Sequence, residues 1–461
     1  MAFYIEANDS SGGHNTWPRH LSPPGLYRVE QRRQQSDSDF PTYRIIMTSE
    51  DTWELEGRPV LSNESLNSTF IFNEKDVYYQ VKCRYIGSPF GRVRGYKIRF
   101  NADEKLHGVK LQARFDRNDF SYKERIAYDL QRKMRLPTCQ QEWVRVLFNG
   151  STYGTWEDIL PPSKRYLSIF YPDDSDGQLF EVDDRFVFYH GGHFENMDAT
   201  FEWLNTDDKD MYRWNYEPRN HARADDFTHL IQMINVMNNT PKGQYENAIS
   251  QVINVDQWLR VMAVRTIIGD WDFFGGSRGK NAYLYRPNKT GKWEILSWDS
   301  ELTFNQSNMS IWSGFRPIQR FQMSPKHQHL YYSYIREVLD KYFNVSHLSP
   351  WLEHYASIIR NPWPGEMKSF IIARTNHLNR VIPKAKPEIT CGKRTRNGID
   401  LEGTAPVQVR FVRISGVEYQ PDWMGATHWK LTIPSAKQKK LTVLFLDYDK
   451  QTIGQDAIRL K

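Results

Sequence analysis

Apolar and polar positions fall into short runs over the first 120 residues, and no helical period longer than two turns emerges there. Segments 43–47, 77–85 and 96–100 alternate or cluster as strands do. Residues 1–40, with Ser-Ser-Gly-Gly and Pro23-Pro24, read as a lead-in. The pattern then changes. Ser121-Tyr-Lys-Glu124 has the form of a capping box, Ile126, Leu130 and Met134 recur on one helical face, and Leu136-Pro137 ends the helix. A strand at 143–148 meets the tight turn Asn149-Gly150 and a further strand near Tyr153.

From residue 225 onward the chain is mainly helical. Asp256 is read as the cap of a helix with Trp258, Leu259, Met262, Ala263 and Ile267 on its apolar positions, ended by Gly269. Strands at 282–285 and 293–298 flank a turn at 288–291, and 330–382 returns to helix. The polar, basic stretch 383–403 reads as a linker. Beyond it, strands at 407–414, 429–433 and 441–445 predict a small β-sandwich over 404–461, with Trp423 and Trp429 in its core.

Composition narrows the class. At 461 residues the chain should hold roughly two to four domains. Hydrophobic residues at 39% and charged residues at 25% exclude a disordered or fibrous chain. No apolar run reaches the roughly 20 residues of a membrane span. The first twenty residues are polar, unlike a signal peptide. The net charge of +6 comes without a Lys/Arg block, so nucleic acid is not an expected partner. Cys83, Cys139 and Cys391 lie too far apart for a zinc motif. Three unrelated buried thiols are expected, with a single bridge as the alternative. His190-Gly-Gly-His193 has no third metal ligand in view and reads as a turn. Asp207-Asp208-Lys-Asp210 lacks the Gly and terminal Glu of a calcium loop and reads as solvated. No Gly-x-Ser-x-Gly or His-Glu-x-x-His motif supports a hydrolase.

The segment richest in chemistry runs from Gly269-Asp-Trp-Asp272 through three glycines to Asn281 and the strand after it, then to Ser297-Trp-Asp299-Ser-Glu301. If the second strand extends to 301, Asp299 and Glu301 share a face. Phosphoryl transfer uses such a set: a carboxylate that takes the hydroxyl proton, and a carboxylate plus an amide oxygen for Mg²⁺. The order Asp272, Asn281, hairpin, Asp299 is that of a protein kinase. Arg94 or Lys97 beside the strand at 96–100 would then supply the phosphate-binding cation, ordered by Glu124. Without that frame, Asp270 is a turn residue, Glu124 is the capping-box acid, and the Asp-rich loop is structural.

These segments together resemble the CotH kinase family of atypical protein kinases. The resemblance rests on Arg84-Tyr-Ile-Gly-Ser-Pro-Phe-Gly-Arg-Val-Arg94-Gly-Tyr-Lys97, Lys123-Glu124, Asn149-Gly-Ser-Thr-Tyr-Gly154, Asp270-Trp-Asp272 to Asn281, and Ser297-Trp-Asp299-Ser-Glu301. It spans about 40–382. Three positions depart from the family: Arg94 stands for the usual Lys, Lys280 for the usual His, and Glu301 for the usual Asp. Arg is not equivalent to Lys at a phosphate.

The resemblance implies an α+β, bilobal kinase-like fold. A β-rich N-lobe would cover about 41–190 and a mainly helical C-lobe about 191–382, followed by the linker and sandwich. It implies ATP and Mg²⁺ or Mn²⁺ as cofactors, a protein Ser/Thr substrate and an extracytoplasmic setting. Asp272 would be the catalytic base, Asn281, Asp299 and Glu301 the metal ligands, and Arg94, Lys97 and Glu124 the nucleotide-contacting set. Sequence order alone leaves the roles of Asp272 and Asp299 exchangeable. The competing readings are a catalytically silent scaffold or surface adhesin, and a transferase of other chemistry such as adenylyl transfer or glutamylation.

Overall fold

The computed structural model describes residues 40–461 except 60–61, 87–94, 117–120, 190–193, 360–363, 435–438 and 461, and, before residue 40, only short segments that include two small strand pairs. The chain is a mixed α+β protein with several sheets. It divides into two compact units, one of residues 1–121 and 140–160 and the other of 122–139 and 161–461.

The first unit is built on a closed barrel. Its strands are β1 (Thr42–Ile46), β2 (Leu66–Phe72), β3 (Asp76–Ile86), β4 (Gly95–Arg99), β5 (Gln112–Asp116), β6 (Gln140–Phe148) and β7 (Ser151–Leu160). Neighbours pair antiparallel except where β6 runs parallel to β1 and closes the ring, which leaves no free sheet edge. Large inward aromatics fill it: Tyr43, Phe70, Phe115 and Trp156 meet within a buried cluster, with Tyr96 stacked on both Phe148 and Trp156. A nine-residue helix α1 (Ser49–Gly57), absent from the sequence reading, follows β1. Thr48 caps it by accepting from the Asp51 N–H, but it buries only Leu55 and leaves Trp53 exposed, so no apolar stripe announces it.

In the second unit, α2 (Ser121–Lys133) buries the predicted Ile126 and Leu130 in a core shared with the helices that follow. A four-stranded sheet holds β8 (Gln178–Val182), β11 (Tyr216–Pro218), β12 (Ala282–Arg286) and β13 (Glu294–Ser297), while β9 (Arg185–Phe188) and β10 (Phe194–Met197) form a separate hairpin. The central helix, α3 (Val255–Ile267), is buried from Gln257 to Ile267 apart from Arg260, so it reads as apolar on nearly every face. Its cap is Asn254, which accepts from the Gln257 N–H; Asp256 instead pairs with Arg260 one turn on. Three long helices, α4 (Pro325–Lys341), α5 (Val345–Ile359) and α6 (Pro364–Val381), close the core.

The stretch read as a linker holds two strands, β14 (Glu388–Thr395) and β15 (Gly398–Thr404). They pair with β18 (His428–Ile433) and β17 (Asp422–Trp423). A second sheet joins β16 (Phe411–Ile414) with β19 (Lys440–Leu446) and β20 (Thr452–Arg459). Both sheets bury one core, in which Trp423 and Trp429 lie. All three cysteines are free; Cys83 and Cys139 are buried, but Cys391, on β14, is exposed.

Candidate functional site

The site is assembled where α3 ends. Gly269 takes φ +67°, the left-handed conformation that glycine adopts without a Cβ penalty. Its N–H bonds the Thr266 carbonyl, and the Asp270 N–H bonds that of Arg265, the paired bonds of a Schellman cap. The chain therefore folds back, and the Asp270 carboxylate meets the Arg265 side chain at 2.6 Å.

Arg265 is fully buried. Besides Asp270, it donates to the carbonyls of Asn281 (2.6 Å), Trp298 (2.9 Å) and Asp299 (2.9 Å), and its guanidinium lies over the Phe273 ring. One side chain thus ties together the helix end, the start of β12 and the segment after β13. Two of the residues it holds, Asn281 (φ 60°) and Asp299 (φ 50°), are left-handed without being glycine, a conformation that needs such support. The sequence reading missed Arg265. Its signal is one charged residue inside the run 261–268, which is apolar apart from it and Thr266.

Asn281 donates through Nδ2 to the Asp272 carbonyl (2.8 Å) and to Asp272 Oδ2 (2.9 Å). These two acceptors fix the amide orientation and turn Oδ1 away, with no donor among the described residues. Lys280 Nζ sits 3.4 Å from Asp272 Oδ2 and 3.6 Å from Asp184 Oδ2. Burial lowers the Lys280 pKa, but Asp272 and Asp184 outweigh it and raise it, so the ammonium stays charged. Arg278 binds Asp198 at 3.1 Å and Asp184 at 3.3 Å, and the Gly279 N–H donates to Asp198 at 2.9 Å. A Cβ on Gly279 would lie 2.2 Å from the Ala199 carbonyl oxygen, which is why glycine stands there. Asp198 carries no signal in the sequence, and Asp184 stands out there only as an acid near His190 and His193.

Asp299 lies beyond the last residue of β13, Ser297, and its positive φ breaks strand alternation. The shared face predicted for Asp299 and Glu301 therefore does not form by strand geometry; Glu301 is partly buried two residues on. The Asp299 carboxylate accepts no hydrogen bond from a described residue, yet it acts electrostatically on Glu124, Asp270 and Asp272. Glu124, on α2, accepts from the Ser300 N–H (2.8 Å) and the Tyr128 hydroxyl (3.1 Å). Burial, then the nearby Asp299 charge, pushes it up to about 7. Burial likewise pushes Asp270 up to about 6, against the pull of Arg265, and raises Asp272 against that of Lys280.

Glu124, Asp270, Asp272 and Asp299 thus share one neighbourhood, on which Arg265, Lys280 and Arg278 act as cations. Among the described residues no three His, Cys, Asp or Glu side chains gather closely enough to hold a metal by themselves. The donor set nevertheless suits Mg²⁺, which takes hard oxygens and binds through one or two carboxylates with its other positions left to phosphate and water. Asn281 Oδ1 and the Asp299 carboxylate are such oxygens. Lys97 lies on β4 in the first unit, opposite Arg84 and Arg114 in register; Arg94 and the pair His190 and His193 fall outside the described residues.

The sequence profile of the CotH kinase protein family matches residues 96–376. The chain belongs to this family. The CotH match takes in Glu124 and the whole 265–301 constellation, begins just after Arg94 and ends before β14. A similar protein is the inner spore coat protein H of Bacillus subtilis (strain 168), 22% identical over 285 residues that cover 59% of this chain and 71% of that protein. No helix among the described residues is long and apolar enough to cross a membrane.

Proposed function

We propose that this chain is an atypical protein kinase that transfers the γ-phosphoryl group of Mg-ATP to protein Ser/Thr hydroxyls. The observation that carries the reading is the pair Asp272–Asn281: the amide donates to one Asp272 oxygen, while Asp272 Oδ1 and Asn281 Oδ1 meet no donor among the described residues. Asp272 would orient the acceptor hydroxyl and take its proton. Asn281 Oδ1 and Asp299, with Glu301 as a further donor, would hold Mg²⁺, which when bound neutralises phosphate charge. Lys280 draws the Asp272 pKa down against the burial that raises it. Arg94 or Lys97 would hold phosphate oxygens. The spore-coat relative supports an extracytoplasmic setting.

The test is transfer of label from γ-labelled ATP, with Mg²⁺ or Mn²⁺, to an acceptor protein and to the chain itself, beside Asp272→Asn and Asp299→Ala controls of unchanged melting temperature. Transfer lost in both controls supports the reading. Metal-dependent ATP binding without transfer points to a silent scaffold, and transfer of labelled AMP or glutamate-dependent AMP release to another transferase; either result overturns it.

A further inference from the structure

The C-terminal sheets carry charge differently from the rest of the molecule. Residues 383–461 hold fourteen Lys and Arg against eight Asp and Glu, so the entire +6 excess of the chain resides there and residues 1–382 are formally neutral.

Strand register sorts these charges to opposite ends. At one end the sheets pack on α4: the Lys341 ammonium pairs with Asp449 at 2.6 Å, Arg410 with Glu337 at 2.7 Å, and the Tyr448 hydroxyl with Asp340. The two nitrogens of His329, on α4, face the carbonyls of Ala426 and Val409. The seven residues of β19 carry the chain away from that end over roughly 20 Å. At the far end Lys440 lies opposite Arg459, and the Leu460 N–H donates to the Lys439 carbonyl. Gly392 on β14 abuts Ile458 and Leu460, which brings Lys393 beside Arg459, and the turn with Arg396 closes β14 onto β15.

Lys393, Arg396, Lys439, Lys440 and Arg459 are all exposed, and none forms an ion pair with a described residue. Asp400, opposite Lys393, is the acid that register places at this end. Glu388, Glu402 and Asp456 sit further along their strands.

We infer that this far end is an electrostatic docking surface for an extended acidic segment of a partner protein. Unpaired like charges held together repel one another and are relieved by a complementary anion. The shape of the end selects among anions. Trp423 and Trp429, the tryptophans of these sheets, are buried and so are not available to stack on the bases of a single strand. Among the described residues, the exposed large apolar side chains of these sheets are Val417 and Met424, outside the strands that bear the cluster, and Ile453, at the opposite end of β20 from Arg459, so none stands beside the basic cluster as an apolar anchor at a lipid surface. Cations on adjacent strands, about 5 Å apart, match carboxylates on an extended chain.

The probe is a fluorescent poly-glutamate peptide, titrated by anisotropy without ATP, so the outcome is independent of phosphoryl transfer. Binding should weaken as salt rises to roughly 0.15 M. Lys440→Glu/Arg459→Glu should lose at least about tenfold in affinity, and the milder Lys440→Gln/Arg459→Gln several-fold, with unchanged circular dichroism. Lys75→Glu/Lys289→Glu, reversals of exposed lysines elsewhere, should lose less than about twofold. Absence of binding at low salt, or equal losses in the control, overturns the surface. Tighter, pair-dependent binding to phosphatidylserine vesicles or to an oligonucleotide of matched charge overturns the acidic-protein assignment.

Discussion

Two buried aspartates, one in each compact unit, show what separates a structural carboxylate from a reactive one. Asp158 in the barrel accepts from the Tyr43 hydroxyl at 2.7 Å and from Lys110 at 2.8 Å on one oxygen, and from the Arg114 N–H at 3.2 Å on the other. Asp272 is as deeply placed, but among the described residues only its Oδ2 is engaged, by Asn281 and Lys280. Burial and a basic neighbour are common to both. What differs is an oxygen left for something that is not protein, beside other acids rather than beside a closed ring of donors.

The sharpest way to break this comparison is to neutralise each carboxylate. Asp272→Asn should lower phosphoryl transfer by about 10³-fold or more, as loss of a group that handles the reacting proton does. Its melting temperature should move little, since one oxygen had no partner to lose. Asp158→Asn should cost about 2–4 kcal/mol of unfolding free energy and leave transfer per folded molecule intact, because Tyr43, Lys110 and Arg114 lose a charged acceptor. Steady-state transfer and urea unfolding on both variants decide it. A destabilised but active Asp272→Asn would make the two sites equivalent and remove the basis of the functional reading.

Arg265 is the next lever. Arg265→Met removes four hydrogen bonds and leaves Asp270 charged without its buried partner, so a loss of about 3–5 kcal/mol in stability is expected. Asp270→Asn in the same chain should recover part of it, because the stranded charge is gone, while the carbonyls of Asn281 and Asp299 stay unheld. Chemical unfolding of the single and double variants, with transfer measured on the folded fraction, separates the two contributions. If the double variant regains full transfer, Arg265 only stabilises the fold and does not position Asn281 and Asp299.

How far these features were legible follows from their range in sequence. Asp272 and Asn281 stand out because nine residues of one glycine-rich loop bring them together. The β6–β7 turn at Asn149-Gly150 and the α2 stripe are similarly local. Arg265 has no such signature. Its partners lie 5, 16, 33 and 34 residues away, so only the fold reveals it. Glu124 was legible as a capping-box acid. Its contact with the Ser300 N–H, 176 residues on, was not. Strand β14 reads as a linker because its lysine, arginine and threonines face solvent and only Ile389 is buried, while β15 shows just Ile399 and Leu401 as apolar inward residues between acids and glycines, too short a run to mark a strand beside that basic stretch. Helix α1 was hidden for the opposite reason: its cap is clear, but it presents almost nothing to a core.

Glu124 offers the mildest test of the contrast, because it carries the uncompensated acidity of the site into the pH dependence of stability. Its pKa stands at about 7 in the folded chain against an ordinary 4.5. Between those values the folded state holds a proton that the unfolded state has released, so stability must fall as pH rises through that window. Asp270, raised to about 6, adds a component of the same sign over the lower part. Glu124→Gln keeps an oxygen for the Ser300 N–H and removes the titration. The difference between wild type and variant, measured by urea unfolding at pH 5 and pH 7.5 in EDTA, should therefore shift by up to about 3 kcal/mol in favour of the variant at the higher pH. Excess Mg²⁺ should shrink that difference, because a cation held by Asp299 cancels the charge that helps keep Glu124 protonated. Parallel falls for both proteins would mean that Glu124 is ionised throughout, with its charge already compensated, and the site would then be closed in the sense that Asp158 is.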